Sequence, residues 1–466
     1  MTIYTQIRLI LQFISNTQKM VIPLFFVFAL TMSTSIAFAQ KNHEPDLALF
    51  SLQRSRVLQA QIYGYPLLGM YARMTQEVLD PSTRKAPFGV FYHYRDLSTP
   101  TDSPFRAPNN DTLYSTAWLD LRSGPVVLDV PETDGRYYTA QILDLTSETI
   151  GNLGQRLHGT GPGRFIFVDA KWHGELPSNV KAVVKSATPY VAVLLRILVD
   201  GESDLPIVNA LQNQFVFSHL NRSTVPQSAP PIFPLTNARE RFTALDTILR
   251  NLPVRPGEQS IMTEFAGIGI GPISTILVQK PSDDTLEISE KDSRQVISSA
   301  GIVSGQFING WRVVRDGMGS YGYDYLQRAS VWDGGPLANV VEESFYPSAL
   351  MDQHGNMLNG NNNYRLHFDR HQLPPANAFW SLTMYRMNDG NLVANPINRY
   401  SIGDRTKGIA YDDKGGLTIT ISKNDPDNGN WLPAPDGPFY MVLRIYGTKQ
   451  SVISGDWIPP TIYLLR

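Results

Sequence analysis

Short apolar runs, closely spaced and cut by Asn, Gly and Pro, constrain the fold of this chain more than any other feature. In Phe439–Tyr446, Phe439, Met441, Leu443 and Ile445 alternate with Tyr440, Val442, Arg444 and Tyr446. That two-residue period describes a half-buried antiparallel strand with one apolar and one mixed face. Similar runs occur at Tyr364–Phe368, Phe379–Tyr385, Leu417–Ser422 and Thr461–Leu465. An earlier group lies at Pro125–Val130, Arg136–Leu143, Arg164–Val168 and Tyr190–Val199. Within each group the runs follow one another without intervening helices, which a parallel α/β sheet would require. Sandwich or barrel packing is therefore expected.

Before and between the two β-rich stretches the texture is helical. Residues Leu47–Leu79 carry turn-like spacing, with a break or kink expected at Tyr65-Pro66 before Leu67–Val78 resumes. Val208–Leu220, Arg239–Leu252 and Ile302–Ala329 also read as helices, and the Pro-rich piece Ser223–Pro234 as a connector. The expected organisation is an export signal at 1–39, a helix plus β-sandwich at 40–200, a helical connector at 201–332 and a second β domain at 333–466.

A hydrophobic fraction of 42% with 18% charged residues fits a folded globular chain. A formal charge of −2 supplies no electrostatic footprint for nucleic acid or an acidic membrane, so neither partner is expected. The chain has no cysteine, which excludes disulfides, a thiolate nucleophile and Cys-ligated metal. Neither a cofactor nor a metal is expected. Lys19, the apolar run Val21–Leu30 and Ala37-Phe38-Ala39 before Gln40 have the order of a secretion signal, with Met20 an alternative start. The run is too short to span a bilayer and polar residues follow it, so no membrane span is expected after cleavage. The expected location is periplasmic or secreted.

Two constellations could carry chemistry. In the first, His93 and Asp111 would form an acid/base pair, with Asn109, Asn110 and Tyr114 as orienting groups. Asn and Asp in Pro108-Asn-Asn-Asp111 equally suit a turn that satisfies its own backbone. The second is a C-terminal polar–aromatic set of Trp380, Tyr385, Arg386, Asn395, Arg399, Tyr400, Arg405, Trp431 and Arg444, of which Trp380, Tyr385, Arg399, Trp431 and Arg444 enter the ligand-binding expectation together with Arg196. Flat rings beside Arg and Asn suit a carbohydrate or polar organic ligand, and turn capping explains the same residues. Other signals are weaker. Gly317–Gly322 matches a dinucleotide fingerprint but lacks an entering strand, and His367, Asp369 and His371 lack a further metal ligand nearby. No Gly-x-Ser-x-Gly elbow occurs.

The chain resembles exported, mostly bacterial proteins that join domains of unknown function 1254 (N-terminal) and 1214 (C-terminal). In the first domain the resemblance rests on Tyr63-Gly-Tyr-Pro66, Pro108-Asn-Asn-Asp-Thr-Leu-Tyr-Ser115, Arg136-Tyr-Tyr138 and Arg196 with Val199-Asp-Gly201. In the second it rests on Phe379-Trp-Ser-Leu-Thr-Met-Tyr385, Asn395-Pro396, Arg399-Tyr400, Asn430-Trp-Leu-Pro-Ala-Pro435 and Gly455-Asp-Trp457. It implies an immunoglobulin-like sandwich, a helical region and a jelly-roll-like sandwich, and no particular reaction.

The expected fold is thus mainly β: two antiparallel β-sandwich domains joined by a helical region. The expected role is binding a glycan or polar organic ligand at an inter-domain cleft, with general acid/base work by His93 and Asp111 if the protein is catalytic. The alternative is a non-catalytic envelope or assembly module that binds a protein partner. Intact-mass analysis of the protein recovered outside the cytoplasm should give a chain beginning at Gln40. A mature chain that retains Lys19 would refute the cleavage site.

Overall fold

A computed structural model describes the backbone over residues 22–101, 107–221, 228–427 and 429–465, with side chains from Asp46 onward in those ranges. The side chains of the expected export signal, 1–39, lie outside the described residues. Residues up to Arg56 and residues from Val57 form two compact units. The helices are α1 (Ile22–Val78), α2 (Gln155–His158), α3 (Leu205–Gln212), α4 (Ala238–Arg250), α5 (Gln259–Ala266), α6 (Asp283–Val303), α7 (Tyr325–Gly334) and α8 (Gln450–Ile453). Among the described residues no helix is long and apolar enough to cross a membrane. The unit from Val57 holds two sandwiches and the helices between them.

The first sandwich is built from β1 (Tyr92–His93), β2 (Thr112–Asp120), β3 (Val126–Val130), β4 (Tyr138–Asp144), β5 (Thr149–Gly154), β6 (Gly163–Asp169), β7 (Val180–Ser186), β8 (Tyr190–Leu198) and β9 (Val216–His219). A five-stranded sheet of order β1-β2-β8-β4-β5 packs on a four-stranded sheet of order β7-β6-β3-β9. The pairs are antiparallel except β6 with β7. Strand alternation assigns the faces. Leu113, Ala117 and Leu119 of β2 and Val191, Val193, Leu195 and Ile197 of β8 fill the sandwich interior. Trp118, Leu143, Ala192 and Leu194 point the other way and pack with Tyr63, Leu67, Met70, Leu245 and Phe265 of the helical layer. The five-stranded sheet is therefore covered on both faces, which explains its nearly continuous apolar strands.

The second sandwich contains β10 (Gln306–Ile308), β11 (Trp311–Val313), β12 (Ser344–Phe345), β13 (Ser348–Ala349), β14 (Asn363–Phe368), β15 (Ala376–Arg386), β16 (Ser401–Gly403), β17 (Leu417–Ser422), β18 (Trp431–Pro433), β19 (Phe439–Thr448) and β20 (Ile462–Leu465). Its larger sheet runs β10-β11-β13-β19-β15-β16, with β12 also on β19, and faces a sheet of order β18-β17-β14-β20. Here only β17 and β18 are parallel. As the alternation predicts, Phe439, Met441, Leu443 and Ile445 enter the core, where they meet Trp380, Leu382 and Met384 of β15. Phe379, Ser381, Thr383 and Tyr385 occupy the opposite face of β15, and Arg444 and Tyr446 that of β19.

The structure corrects three local expectations. Of the break or kink predicted at Tyr65-Pro66 the break is absent, since α1 continues through it. Burial of Tyr63, Leu67, Met70 and Met74 offsets the cost of an interior proline. Two glycines let neighbours approach this helix: a Cβ on Gly64 would lie 2.6 Å from Leu245, and one on Gly69 would enter the Trp332 ring.

Val208–Leu220 is not one helix, since α3 stops at Gln212 and β9 pairs with β3. Ile302–Ala329 is not helical throughout either. There α6 ends, and β10 and β11 form a hairpin about Asn309 and Gly310, whose φ values are 54° and 84°. That is the two-residue turn for which Asn-Gly is best suited. Trp311 is held there by burial and by an Nε1 bond to the Pro460 carbonyl at 2.7 Å. The 201–332 segment thus lends strands to both sandwiches.

Leu382 sits fully buried in the second core. Leu382→Ala should lower the unfolding free energy by roughly 2–5 kcal/mol in a denaturant titration. A loss under about 1 kcal/mol would contradict a close-packed core at β15.

Candidate functional site

The sequence-predicted residues divide into a seam between the sandwiches and positions away from it. Asp111 forms the centre of the seam. In the turn before β2, Asn109 Oδ1 accepts the Asp111 amide at 2.6 Å, and Asn109 Nδ2 donates to Thr112 Oγ1 at 3.1 Å and Tyr446 Oη at 2.7 Å. Asp111 Oδ2 accepts from Ser381 Oγ at 2.6 Å and Tyr446 Oη at 3.2 Å. Arg405 stands 3.6 Å from Asp111 Oδ1, donates to the Val199 carbonyl at 2.9 Å and lies 4.4 Å above the Phe379 ring. Burial and then the Asp111 charge push the Tyr446 phenol far up, so it stays protonated and donates. Phe379 stacks on Tyr446 with centroids 4.1 Å apart, and Tyr137 meets both edge-on.

Tyr114, Arg196, Tyr385 and Arg444 join the same seam. Tyr114 and Arg196 pair across β2 and β8 on the face turned from the sandwich interior. Arg196 Nη1 donates to Gln141 Oε1 at 3.0 Å, Nη2 to the Leu337 carbonyl at 3.3 Å, and the guanidinium lies 5.3 Å from the Tyr114 ring. Arg444 Nη1 donates to Thr383 Oγ1 at 2.9 Å and Nη2 to the Ala107 carbonyl at 3.0 Å. Tyr385 lies beneath it at 5.5 Å and donates to the Pro108 carbonyl at 2.6 Å. Asn110, also in the turn, has an unpartnered Oδ1.

The remaining residues sit elsewhere. Trp380 is in the second core, beside Phe368. Trp431 donates to the Ser422 carbonyl at 2.9 Å, and Arg399 straps the Trp431 carbonyl at 3.0 Å, so both hold loops of the second sandwich. His367 contacts Thr418 at 2.8 Å and Asp369 at 3.3 Å.

His93 and Asp111 do not form the pair expected from their nearness in sequence. His93 lies across from Ser115 on β2 and shares a 2.8 Å bond with its hydroxyl. Four residues of strand, about 13 Å at some 3.3 Å per residue, separate Ser115 from Asp111. Each side chain is occupied locally, His93 by Ser115 and Phe91, and Asp111 by the seam.

A recess lies on another side of the first sandwich, where the helical layer meets the ends of β6, β7 and β8. It encloses about 560 Å³, with Tyr71, Tyr190, Phe233, Ile248, Leu252 and the prolines at 189, 230, 231, 253 and 256 among its walls. Tyr71 donates to the Pro231 carbonyl at 3.0 Å and leans on Phe233. Tyr190 stacks on Phe88 and lies 4.9 Å from the Arg122 guanidinium. A narrower pocket shares Ala187, Leu252, Pro253, Val254 and Arg255 with it and reaches Tyr63 and Glu258. There Tyr63 donates to Glu258 Oε2 at 2.9 Å, and Arg255 stands 3.4 Å from Glu258 Oε1.

Sequence reasoning singled out none of these as ligand groups. The available signal was the pairing of Pro-rich connectors, Ser223–Pro234 and Pro253–Pro256, around an amphipathic helix.

His93 makes a pH prediction. Burial, then Arg95, pushes its imidazole from 6.5 down to about 4. The unfolded chain therefore takes up this proton first. Stability from the neutral ring is complete above about pH 6.5 and is lost as pH falls toward 4. Because the ring keeps partial solvent contact, about 1 kcal/mol is expected. Between about pH 7.5 and pH 5, urea unfolding should show the wild type losing that much more than His93→Gln. Equal losses would place His93 in open solvent.

The domain described as "Protein of unknown function (DUF1254)" matches residues 88–219, which end with β9. "Protein of unknown function (DUF1214)" matches residues 343–450, from β12 through β19. No curated protein matches the chain. The crystal structure of the VPA0106 protein from Vibrio parahaemolyticus is similar at 24% identity and TM-score 0.70, over 89% of this chain and 100% of that one. A putative uncharacterized protein from Burkholderia cenocepacia aligns at 12% identity and TM-score 0.45, over 92% and 97%. The first of these shares the fold. The chain is thus built from a DUF1254 domain followed by a DUF1214 domain.

Proposed function

We propose that this is an exported binding protein for a small organic molecule with a flat apolar body and a hydroxyl or amine end. The observation that carries this reading is the 560 Å³ recess between the first sandwich and the helical layer. Its size lies in the range of small-molecule sites, and apolar walls with a few convergent polar groups are their usual composition. The narrow end supplies those groups. Arg255 there lies within the field of Glu258, Asp144 and Glu148, and Arg328 acts on the same Tyr63 phenol. Of these acids Glu258 lines the narrow pocket, where its carboxylate can accept from a donor on the ligand.

The recess suits an aromatic or alicyclic body better than a glycan. Sugar binding calls for an aromatic face laid open beside directional donors. Tyr190 is engaged by Phe88 and Arg122, and Tyr71 by Phe233, so the rings act as preformed walls. Export is supported by Lys19, the run Val21–Leu30 and Ala37-Phe38-Ala39, the elements of a cleavable signal.

A thermal-unfolding screen tests the assignment. Phenol, 4-hydroxybenzyl alcohol and tyramine should raise the midpoint with the logarithm of their concentration above Kd, reaching about 2.7 kcal/mol of stabilisation at a hundredfold excess. Glucose and N-acetylglucosamine should leave it unchanged. Ala187→Trp, which places an indole in both pockets, should weaken the aromatic response at least about tenfold. A sugar response that survives in Ala187→Trp would overturn the proposal.

A further inference from the structure

Arg196 and Arg444 are each only 5% exposed. Among the described residues, no carboxylate lies within ion-pair distance of either. Their partners include a carboxamide, a threonine hydroxyl and two backbone carbonyls, with the Tyr114 phenol beside Arg196 and the Tyr385 phenol beside Arg444. The other cations of the seam are matched: Arg156 meets Glu343 at 2.6 Å, and Arg405 faces Asp111. Burying an ion without a counter-ion is costly, and retaining two in one layer calls for a compensating negative charge. Asp111 reaches Arg444 only at longer range and is already bound by Ser381, Tyr446 and Arg405.

The surroundings are rich in donors. Both guanidiniums act on Tyr114 and on Tyr346, so the four groups share one neighbourhood. Ser344 Oγ lies beside the Tyr346 phenol and has no partner within hydrogen-bond geometry, and fully buried Asn339, two residues beyond Leu337, leaves Nδ2 unpartnered.

We infer that Arg196 and Arg444, with Tyr114 and Tyr346, form an anion site between the two sandwiches that takes a carboxylate group. Planar guanidinium forks match a carboxylate in shape as well as charge. This site is separate from the recess beside the helical layer, and the inference stands without that assignment.

The test uses the full mature chain, exchanged into a carboxylate-free buffer with fluoride as the background salt. Formate, acetate, succinate and phenylacetate then replace fluoride at constant ionic strength, and thermal unfolding is followed. A rise in the midpoint that becomes logarithmic in concentration above Kd is expected with formate and acetate. Tighter binding of succinate or phenylacetate would identify the carboxylate as the end of a larger molecule, and equal or weaker binding a free small ion; either supports the site.

Arg444→Gln should weaken formate binding at least roughly tenfold. Should that variant fail to fold, Tyr346→Phe removes only a phenol and should weaken binding a few-fold. Ala187→Trp should keep the full response, which separates this result from the recess. A midpoint that rises equally with chloride, or an undiminished formate response in Tyr346→Phe with Arg444→Gln unfolded, would overturn the inference. An undiminished response in a folded Arg444→Gln would do the same.

Discussion

The carboxylate of Asp111 is the joint on which the two sandwiches depend. It leaves the turn before β2 and is taken up by Ser381 of β15 and Tyr446 of β19, far along the chain. Such a bond forms only if β15 and β19 turn the same face toward the first sandwich, and their alternation guarantees it. The same Asp111 supplies its backbone carbonyl to the Val199 amide, which ties the turn to the end of β8. Removing one partner from a buried, charge-assisted contact leaves an unmatched ion, so the seam is all-or-none in character.

Given that joint, the polar residues of the inner sheets have only one place to go. Strands whose odd or even positions fill a hydrophobic core must present the others to the neighbouring domain. Arg196, Gln141 and Tyr114 come from one sheet, and Arg444, Thr383 and Tyr385 from the other. Their meeting forms a buried, donor-rich layer between two apolar cores. The recess beside the helical layer is walled largely by prolines and aromatic rings, with Arg122, Asp169, Lys171 and Arg255 also in its lining. The fold thus offers two chemically distinct environments.

Much of the β architecture is legible in the sequence. The runs at Phe439–Tyr446 and Phe379–Tyr385 lie within strands, and their core faces are those the alternation assigns. The seam residues fall in two separate expectations, Asp111, Asn109 and Tyr114 in the acid/base set with His93, and Tyr385 and Arg444 in the C-terminal polar–aromatic set, with Arg196 added as a ligand group. Trp380 and Trp431 were grouped with them because composition does not reveal which face of a strand a ring occupies. Trp380 follows the core parity of β15, one residue from the seam-facing Phe379 and Ser381. The hairpin at Asn309-Gly310 was obscured by the spacing of Val303, Phe307, Trp311 and Val314, which fits a helical period as well.

By itself the sequence determined which segments alternate, which residues must be buried, and that cysteine chemistry is excluded, because these follow from local period and composition. Tertiary structure decided that His93 and Asp111 stand apart and that two arginines lie unmatched by carboxylates at one seam. It also decided that a recess opens beside proline-rich connectors. Those outcomes depend on pairing between strands hundreds of residues apart, where register and packing select the neighbours that no local pattern specifies.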